Sequence, residues 1–220
     1  MQYFEPNFVD EALVLLDRFA PAARVLAGGT LLGTEVRGGG SDTSTIVNIK
    51  RIPELRDIGL DGAVLRVGAL VTAAELATDE MVRRYAPLLA LAAGTLGARQ
   101  LRNVATIGGN LCSMHPAADL VVALLASDAR CVVADIVAGP AGMPVDEFLR
   151  LVTSRDPRIL LTAVEIPITP VSISYQKMQT RRAFEMALVS VGVGLQIDRG
   201  AIRHARIALG GAAPSAVRAS

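Results

Sequence analysis

The sequence has few of the residues that build metal sites and disulfide frameworks. It contains no tryptophan, two cysteines and two histidines in 220 residues. Two cysteines supply neither a disulfide framework nor a four-cysteine iron–sulfur site. His115 and His204 are distant in sequence and have no acidic or cysteine partner at ligand spacing. The sequence therefore predicts no metal site in this chain.

An excess of charge and a long hydrophobic run are also lacking. The 22 basic and 21 acidic residues give a formal net charge of +1, so nothing favours nucleic acid or an anionic membrane. The longest uncharged apolar stretch, residues 86–98, is too short to span a bilayer. The first eight residues, MQYFEPNF, contain no basic residue, so no signal peptide is expected. These features predict a cytoplasmic protein that binds neither nucleic acid nor membrane.

What the sequence does contain is typical of a globular protein that mixes helices and hairpins. It is 51% hydrophobic and 20% charged. Asp61-Gly62 between two alternating runs predicts a β-hairpin, and Thr72 followed by Glu75 predicts a helix with a capping box. The apolar stretch at 86–96 predicts a further helix, and the one at 120–127 a helical or buried segment. Because the helices and strands do not alternate regularly, the pattern indicates an α+β fold.

Three other local predictions come from residue chemistry. Asp10 is expected to cap a helix over residues 11–19. Residues 99–110 are expected to form a loop and a strand edge, and residues 137–144 a glycine- and proline-rich loop. The proline pair Pro167 and Pro170 predicts a domain boundary.

Two glycine pairs carry the clearest functional signal. The first glycine segment is AGGTL at residues 27–31, and the second glycine segment is TIGGN at residues 106–110. Glycine lets backbone N–H groups approach an anion closely, and the hydroxyls of Thr30 and Thr106 add donors. One such pair alone is most often an ordinary tight turn. Neither segment has the lysine of a P-loop or the G-x-G-x-x-G of a Rossmann fold, so the pattern favours another phosphate-bearing cofactor.

Two charged residues have both a structural and a functional interpretation. Asp119 could cap the helix that follows it, or accept hydrogen bonds from cofactor hydroxyls or a heterocycle N–H. Lys177 lies in a predicted strand over residues 172–178, where it is either solvated or a cation that stabilises a reduced flavin. Ser113 and His115 lack a nucleophile elbow, so no catalytic residue is predicted.

Several motifs, taken together and in order, resemble a known family. The chain is similar to the FAD-binding (medium) subunit of the molybdenum hydroxylases, the group of carbon monoxide dehydrogenase, xanthine dehydrogenase and nicotine dehydrogenase. The resemblance covers nearly the whole chain. The matching motifs are AGGTL at 27–31, RNVATIGGN at 102–110, PAADL at 116–120, VEIP at 164–167, YQKM at 175–178, RRA at 181–183, LGGAAP at 209–214 and VRA at 217–219.

The resemblance implies a set of FAD contacts. Both glycine segments would bind the pyrophosphate and neighbouring groups, and Asp119 would hold polar groups of the cofactor. Leu161 would line the adenine or ribose side, Lys177 would lie near the isoalloxazine, and Tyr175 would pack by the ring. The implied FAD-binding residues are Ala27, Gly28, Gly29, Thr30, Leu31, Thr106, Ile107, Gly108, Gly109, Asn110, Asp119, Leu161 and Lys177.

The resemblance also implies a domain organisation. Residues 1–168 would form the FAD-binding domain, with subdomains of about 1–56 and 57–168, and residues 169–220 would form a short C-terminal sheet-and-helix domain. Family chains continue for several tens of residues past the VRA motif, so this C-terminal domain is expected to be abbreviated or truncated. The segment between Val132 and Arg158 is also shorter than is usual.

The function implied is that of an electron-transfer flavoprotein subunit. A large molybdopterin-binding subunit would hydroxylate the substrate, and a small subunit with [2Fe–2S] clusters would pass the electrons to FAD in this chain. The protein would thus work in a hetero-oligomer and deliver electrons to an external acceptor. Two alternatives stay open at this point, a self-contained flavin oxidoreductase and a structural or assembly subunit without flavin.

Overall fold

The computed structural model describes residues 1–38, 43–153, 159–169, 171–180 and 186–219. The RRA motif at 181–183, Pro170 and Arg158 lie outside this part of the chain. Within the described residues the strands form three sheets, and helices pack between and around them. The α+β fold class is therefore confirmed. No helix in these ranges is long and apolar enough to cross a membrane.

The first sheet is small and parallel. It comprises β1 (Gln2–Phe4), β2 (Ala23–Leu26) and β3 (Thr45–Asn48), with β3 in the centre. Helix α1 (Val9–Arg18) buries Ala12, Leu13 and Leu16, which lie on one face at helical spacing, in a core shared with β3. Asp10 does not cap this helix: Phe8 is the N-cap residue, and Asp10 lies in the first turn. Helix α2 (Leu32–Arg37) follows β2.

The second sheet has five antiparallel strands. Its members are β4 (Ile58–Asp61), β5 (Val64–Gly68), β6 (Arg130–Asp135), β7 (Gly139–Pro144) and β8 (Ile159–Pro167), in the order β4-β5-β8-β6-β7. Short 3₁₀ helices at Ile49–Arg51 and Pro53–Arg56 lead into it. The hairpin at Asp61-Gly62 is confirmed. The loop predicted over 137–144 is wrong, because β7 pairs with β6 as an edge strand, where proline is tolerated.

Most helices lie between β5 and β8 in the chain. They are α3 (Ala73–Thr78), α4 (Glu80–Tyr85), α5 (Pro87–Thr95), α6 (Arg99–Arg102), α7 (Ile107–Cys112), α8 (Asp119–Ala126) and α9 (Val145–Val152). The Thr72–Glu75 capping box at α3 is confirmed. The loop and strand edge predicted over 99–110 is confirmed only at residues 103–106, where Thr106 forms an isolated antiparallel bridge with Thr72; α6 and α7 occupy the rest. Thr106 caps α7 through its side chain, so both glycines of the second glycine segment lie inside a helix.

The third sheet packs against α8, the most deeply buried helix. It comprises β9 (Ser172–Met178), β10 (Val189–Asp198), β11 (Ala201–Gly210) and β12 (Val217–Arg218), in the order β12-β11-β10-β9. All eight residues of α8 are buried. Gly192 on β10 faces this helix, and a Cβ there would lie 3.2 Å from Val122 Cγ1. The lack of a side chain therefore allows α8 and the sheet to approach closely, which brings Asp119 next to β9.

Candidate functional site

The first glycine segment is a half-buried turn between β2 and α2. Gly29 has a φ of 75°, a conformation that favours glycine. Gly33 N donates to Gly29 O (3.0 Å) and Thr34 Oγ1 donates to Leu31 O (2.6 Å), so the carbonyl groups of the turn are tied to the helix. Within the described ranges, the amide groups of residues 27–31 donate no hydrogen bond. The turn therefore presents a row of free N–H donors, the arrangement that binds anions.

The second glycine segment is built differently. All four amides that follow Thr106 donate within the protein: Ile107 N to Val71 O (2.9 Å), Gly108 N to Ala69 O (2.9 Å), Gly109 N to Thr106 Oγ1 (3.1 Å) and Asn110 N to Thr106 O (2.9 Å). These four amides therefore already have partners within the protein, unlike those of the first glycine segment. What this segment can offer a ligand is the Thr106 hydroxyl proton, the exposed backbone of Gly109 and the Asn110 side chain.

The amide of Asn110 supplies an independent sign of a missing partner. Its Oδ1 atom is buried and has no hydrogen-bond partner in the described residues. Buried polar side-chain atoms nearly always have a partner, so an orphan of this kind suits a partner outside the described residues, such as a bound ligand or water. Because the O and N positions of an amide are assigned from their neighbours, the same side chain can offer either an acceptor or a donor.

The structure brings the two glycine segments together. Gly28 lies against the main chain that precedes the second segment, and a Cβ on Gly28 would be 2.0 Å from Val104 O and 3.3 Å from Ala105 Cα. The free amides of the first segment and the capped start of α7 thus belong to one continuous surface. In the sequence, only the family resemblance implies that these two segments belong to one site.

Five of the predicted contact residues are buried: Thr106, Ile107, Gly108, Asp119 and Leu161. Of these, Ile107, Gly108 and Leu161 have no polar side-chain atom. Ile107 is completely buried, and Leu161 on β8 is 5% exposed within the largest hydrophobic core. Gly108 is also buried, and a Cβ there would be 2.8 Å from Ala69 O. Ile107, Gly108 and Leu161 lie beneath the surface formed by the glycine segments, and their side-chain positions are not open to a ligand.

Asp119 and Lys177 form a buried ion pair between α8 and β9. Lys177 Nζ lies 2.8 Å from Asp119 Oδ2, and the two side chains are 4% and 6% exposed. Lys177 also donates to Thr95 O (3.2 Å). Both simple structural interpretations are therefore wrong: Ala118 is the N-cap residue of α8, and Lys177 is not on a solvated face. The carboxylate lies at a helix N-terminus, where the helix dipole favours negative charge.

Tyr175 completes this cluster. It lies on the same face of β9 as Lys177, and its hydroxyl donates to Asp119 Oδ1 at 2.6 Å. Burial and the neighbouring Asp119 carboxylate raise the pKa of Tyr175 well above its usual range. The phenol therefore stays protonated and remains a hydrogen-bond donor at neutral pH. The resemblance implies that Tyr175 packs beside the ring of the cofactor, and no sequence pattern predicts its bond to Asp119.

The turn between Asn110 and Asp119 is held by hydrogen bonds of Ser113 and His115. Ser113 Oγ donates to Asn110 O (2.7 Å) and accepts from His115 N (3.2 Å), and His115 Nδ1 accepts from Ala117 N (3.1 Å). Met114, between them, has a φ of 52°. Ser113 and His115 are therefore used to shape this turn, and their side chains do not contact each other as a nucleophile and a base would.

Two surface concavities of the described residues lie elsewhere. One, of about 510 Å³, is lined by residues of β1 and α1, and one of about 240 Å³ is lined by residues around α3 and β4. Neither contains a predicted site residue. Within the described ranges, no group of three or more His, Cys, Asp and Glu side chains is placed to hold a metal ion.

Comparison with known proteins defines the class. A family model described as the FAD binding domain in molybdopterin dehydrogenase matches residues 1–169. A second, described as the CO dehydrogenase flavoprotein C-terminal domain, matches residues 173–220. The chain belongs to the family of FAD-binding subunits of the molybdenum hydroxylases, which are oxidoreductases. The resemblance seen in the sequence motifs is confirmed.

Individual relatives agree with this assignment. The chain is 30% identical to the carbon monoxide dehydrogenase medium chain of Hydrogenophaga pseudoflava, over 99% of this chain and 76% of that protein. It is 31% identical to the xanthine dehydrogenase FAD-binding subunit of Escherichia coli O157:H7, over 90% of this chain and 70% of that protein. In structure it matches carbon monoxide dehydrogenase from Hydrogenophaga pseudoflava with a TM-score of 0.93 and 28% identity, covering 99% of this chain and 77% of that one.

The residues present fit FAD in three respects. Free amides in the first glycine segment suit a pyrophosphate. The orphaned Asn110 amide suits a polar group of the cofactor. Lys177 uses two of its three N–H groups, on Asp119 and Thr95, so that in the described part of the chain one N–H is left for a ligand. The free amides and the Asn110 side chain belong to the two joined glycine segments, whereas Lys177 lies in the buried cluster with Asp119.

Proposed function

We propose that this chain holds FAD on the surface formed by its two glycine segments and serves as the electron-transfer subunit of a molybdenum hydroxylase. The observation that carries the proposal is the row of free amides in residues 27–31, locked against the start of α7 by the contact of Gly28 with Val104. When bound, FAD supplies a group that takes up and releases electrons. The protein binds it, orients it and tunes its potential.

Each predicted residue then has a defined task. The amides of Ala27, Gly28, Gly29, Thr30 and Leu31 bind the pyrophosphate. Thr106, Gly109 and Asn110 contact neighbouring groups, while Ile107, Gly108 and Leu161 support the surface from behind. Asp119 accepts hydrogen bonds from polar groups of the cofactor through its remaining lone pairs, and Lys177 provides a cation beside the isoalloxazine. We further propose that residues 1–168 form the FAD-binding domain and residues 169–220 the C-terminal domain.

The electron path requires other subunits. Relatives are named as chains or subunits of larger enzymes, among them a 6-hydroxypseudooxynicotine dehydrogenase complex subunit from Paenarthrobacter nicotinovorans. We propose a large subunit that carries molybdopterin and oxidises the substrate, and a small subunit that carries [2Fe–2S] clusters and passes electrons to FAD. An external acceptor then takes the electrons from FAD, and the partners make the assembly a hetero-oligomer.

The absorption spectrum of the purified chain tests the proposal. We expect a flavin band at one FAD per chain, no bleaching when candidate substrates are added to the chain alone, and bleaching when its co-encoded subunits are present. Bleaching by substrate in the isolated chain would favour a self-contained flavin oxidoreductase. A colourless chain that still assembles with its partners would favour a structural subunit and would overturn the proposal.

A further inference from the structure

Tyr175 has no task in the proposed function, yet it makes the shortest contact of the buried cluster. Its hydroxyl oxygen lies 2.6 Å from Asp119 Oδ1, against 2.8 Å for the contact of Lys177 with Asp119 Oδ2. The two donors thus take one oxygen each of the same carboxylate. A carboxylate held at both oxygens cannot rotate, so the position of Asp119 depends on Tyr175 as much as on Lys177.

The position of Lys177 depends in turn on Asp119. Its ammonium group is held between Asp119 Oδ2 and the Thr95 carbonyl oxygen, at 2.8 and 3.2 Å. Two fixed acceptors define the direction of the third N–H. If Asp119 turned, Lys177 would follow its counter-ion, because a buried ammonium group does not leave its carboxylate.

We propose that Tyr175 is a positioning residue for the cofactor, acting through Asp119 to fix the direction in which Lys177 presents its free N–H. This role rests on the proposed function, since it requires FAD beside Lys177. A cation held in a fixed direction favours the reduced, more negatively charged form of the cofactor. Tyr175 would therefore tune the flavin potential without touching the ring through its hydroxyl.

The test compares flavin potentials in single and double variants of the full chain loaded with FAD. We expect Lys177→Gln to lower the ratio of reduced to oxidised FAD about tenfold at the wild-type midpoint, a shift of about 30 mV for a two-electron couple. Tyr175→Phe, which keeps the ring, should lower it about threefold, and the double variant should fall no further than Lys177→Gln because both act on one path. Tyr85→Phe and Lys50→Gln are the matched controls.

The flavin potential, the Tm and the amount of bound FAD together show which part of the proposal fails. Site-specific 3-fluorotyrosine at position 175 keeps the hydroxyl donor and should keep the wild-type potential; a potential as low as that of Tyr175→Phe in this chain would overturn the role of the hydroxyl. A Tyr175→Phe chain with a lower Tm but an unchanged flavin potential would overturn the positioning role alone, as would additive effects in the double variant. A wild-type chain that binds no FAD would overturn the role together with the proposed function.

Discussion

Gly28 lies so close to Val104 that a Cβ atom on Gly28 would be 2.0 Å from the Val104 carbonyl oxygen. This contact joins the turn after β2 to the segment before α7, which are distant in sequence. The obstacle is backbone and cannot move aside as a flexible side chain would. Glycine is therefore required at this position by packing, before any ligand is considered.

Gly28→Ala should displace the two glycine segments from each other. We expect a loss of about 1–3 kcal/mol in the free energy of unfolding, the usual range for overpacking, and weaker FAD binding because the free amides move with the turn. Urea unfolding and FAD titration measure the two effects. Gly33→Ala is the control: no atom lies within 4 Å of its Cβ position, and alanine is favoured over glycine in α2. A Gly28→Ala chain with wild-type stability would contradict the contact.

Substitutions at Gly108 and Gly109 should separate an effect on stability from an effect on FAD binding. Gly108 is buried against Ala69, whereas Gly109 is exposed and its Cβ position is near only Thr106 Oγ1 at 3.0 Å. Gly108→Ala should cost about 1–3 kcal/mol of stability. Gly109→Val should leave the chain folded and weaken FAD binding at least about tenfold, which is about 1.4 kcal/mol. Equal FAD affinity in Gly109→Val and the wild type would argue against a cofactor contact at this surface.

Local chemistry allowed much of the fold to be predicted. The hairpin at Asp61-Gly62 and the capping box of Thr72 and Glu75 depend on residues a few positions apart, so their signals are present in the sequence itself. Strand β7 carries no such signal, because an edge position tolerates the prolines that normally argue against a strand.

The candidate site could be predicted by residue type but not by geometry. Which amides are free depends on distant carbonyl groups such as Val71 O and Ala69 O, which take the donors of the second glycine segment. The pairing of Lys177 with Asp119 spans 58 residues and follows from the packing of α8 against the third sheet. No local pattern encodes either relationship, so the sequence alone does not predict which amides of the two segments are free.

Removing one partner of the buried Asp119–Lys177 pair should lower the free energy of unfolding far more than removing one partner of an exposed pair. Lys177→Met leaves a buried carboxylate without its cation, and we expect the free energy of unfolding to fall by about 3–5 kcal/mol. Adding Asp119→Leu should recover a large part of that loss, because the uncompensated charge is then gone. The exposed pair of Arg66 and Glu165, at 2.9 Å, is the control, and Arg66→Met should cost less than about 1 kcal/mol. Urea unfolding at neutral pH gives all the values, and a Lys177→Met loss no larger than the control would contradict the burial of the pair.

The protonated state of Tyr175 predicts a loss of stability at alkaline pH. An unfolded tyrosine releases its proton near pH 10, whereas burial and Asp119 raise the pKa of Tyr175 in the folded chain above that value. Above pH 10 the folded state thus holds a proton that the unfolded state has lost, so the free energy of unfolding falls as the pH rises, by up to about 1.4 kcal/mol per pH unit. This contribution is fully present below pH 10.

Tyr175→Phe removes the titrating group and should therefore make the decline above pH 10 shallower than in the wild type. Urea unfolding at pH 8, 10 and 11 gives the slope of the free energy of unfolding against pH for each chain. The difference between the wild-type slope and the Tyr175→Phe slope is the contribution of this residue, because the other groups that titrate there are common to both chains. Tyr85→Phe is the control and should keep the wild-type slope, because in the described residues the Tyr85 hydroxyl contacts no carboxylate. Identical slopes in Tyr175→Phe and the wild type would mean that the phenol ionises in the folded chain, and its bond to Asp119 could not then persist at high pH.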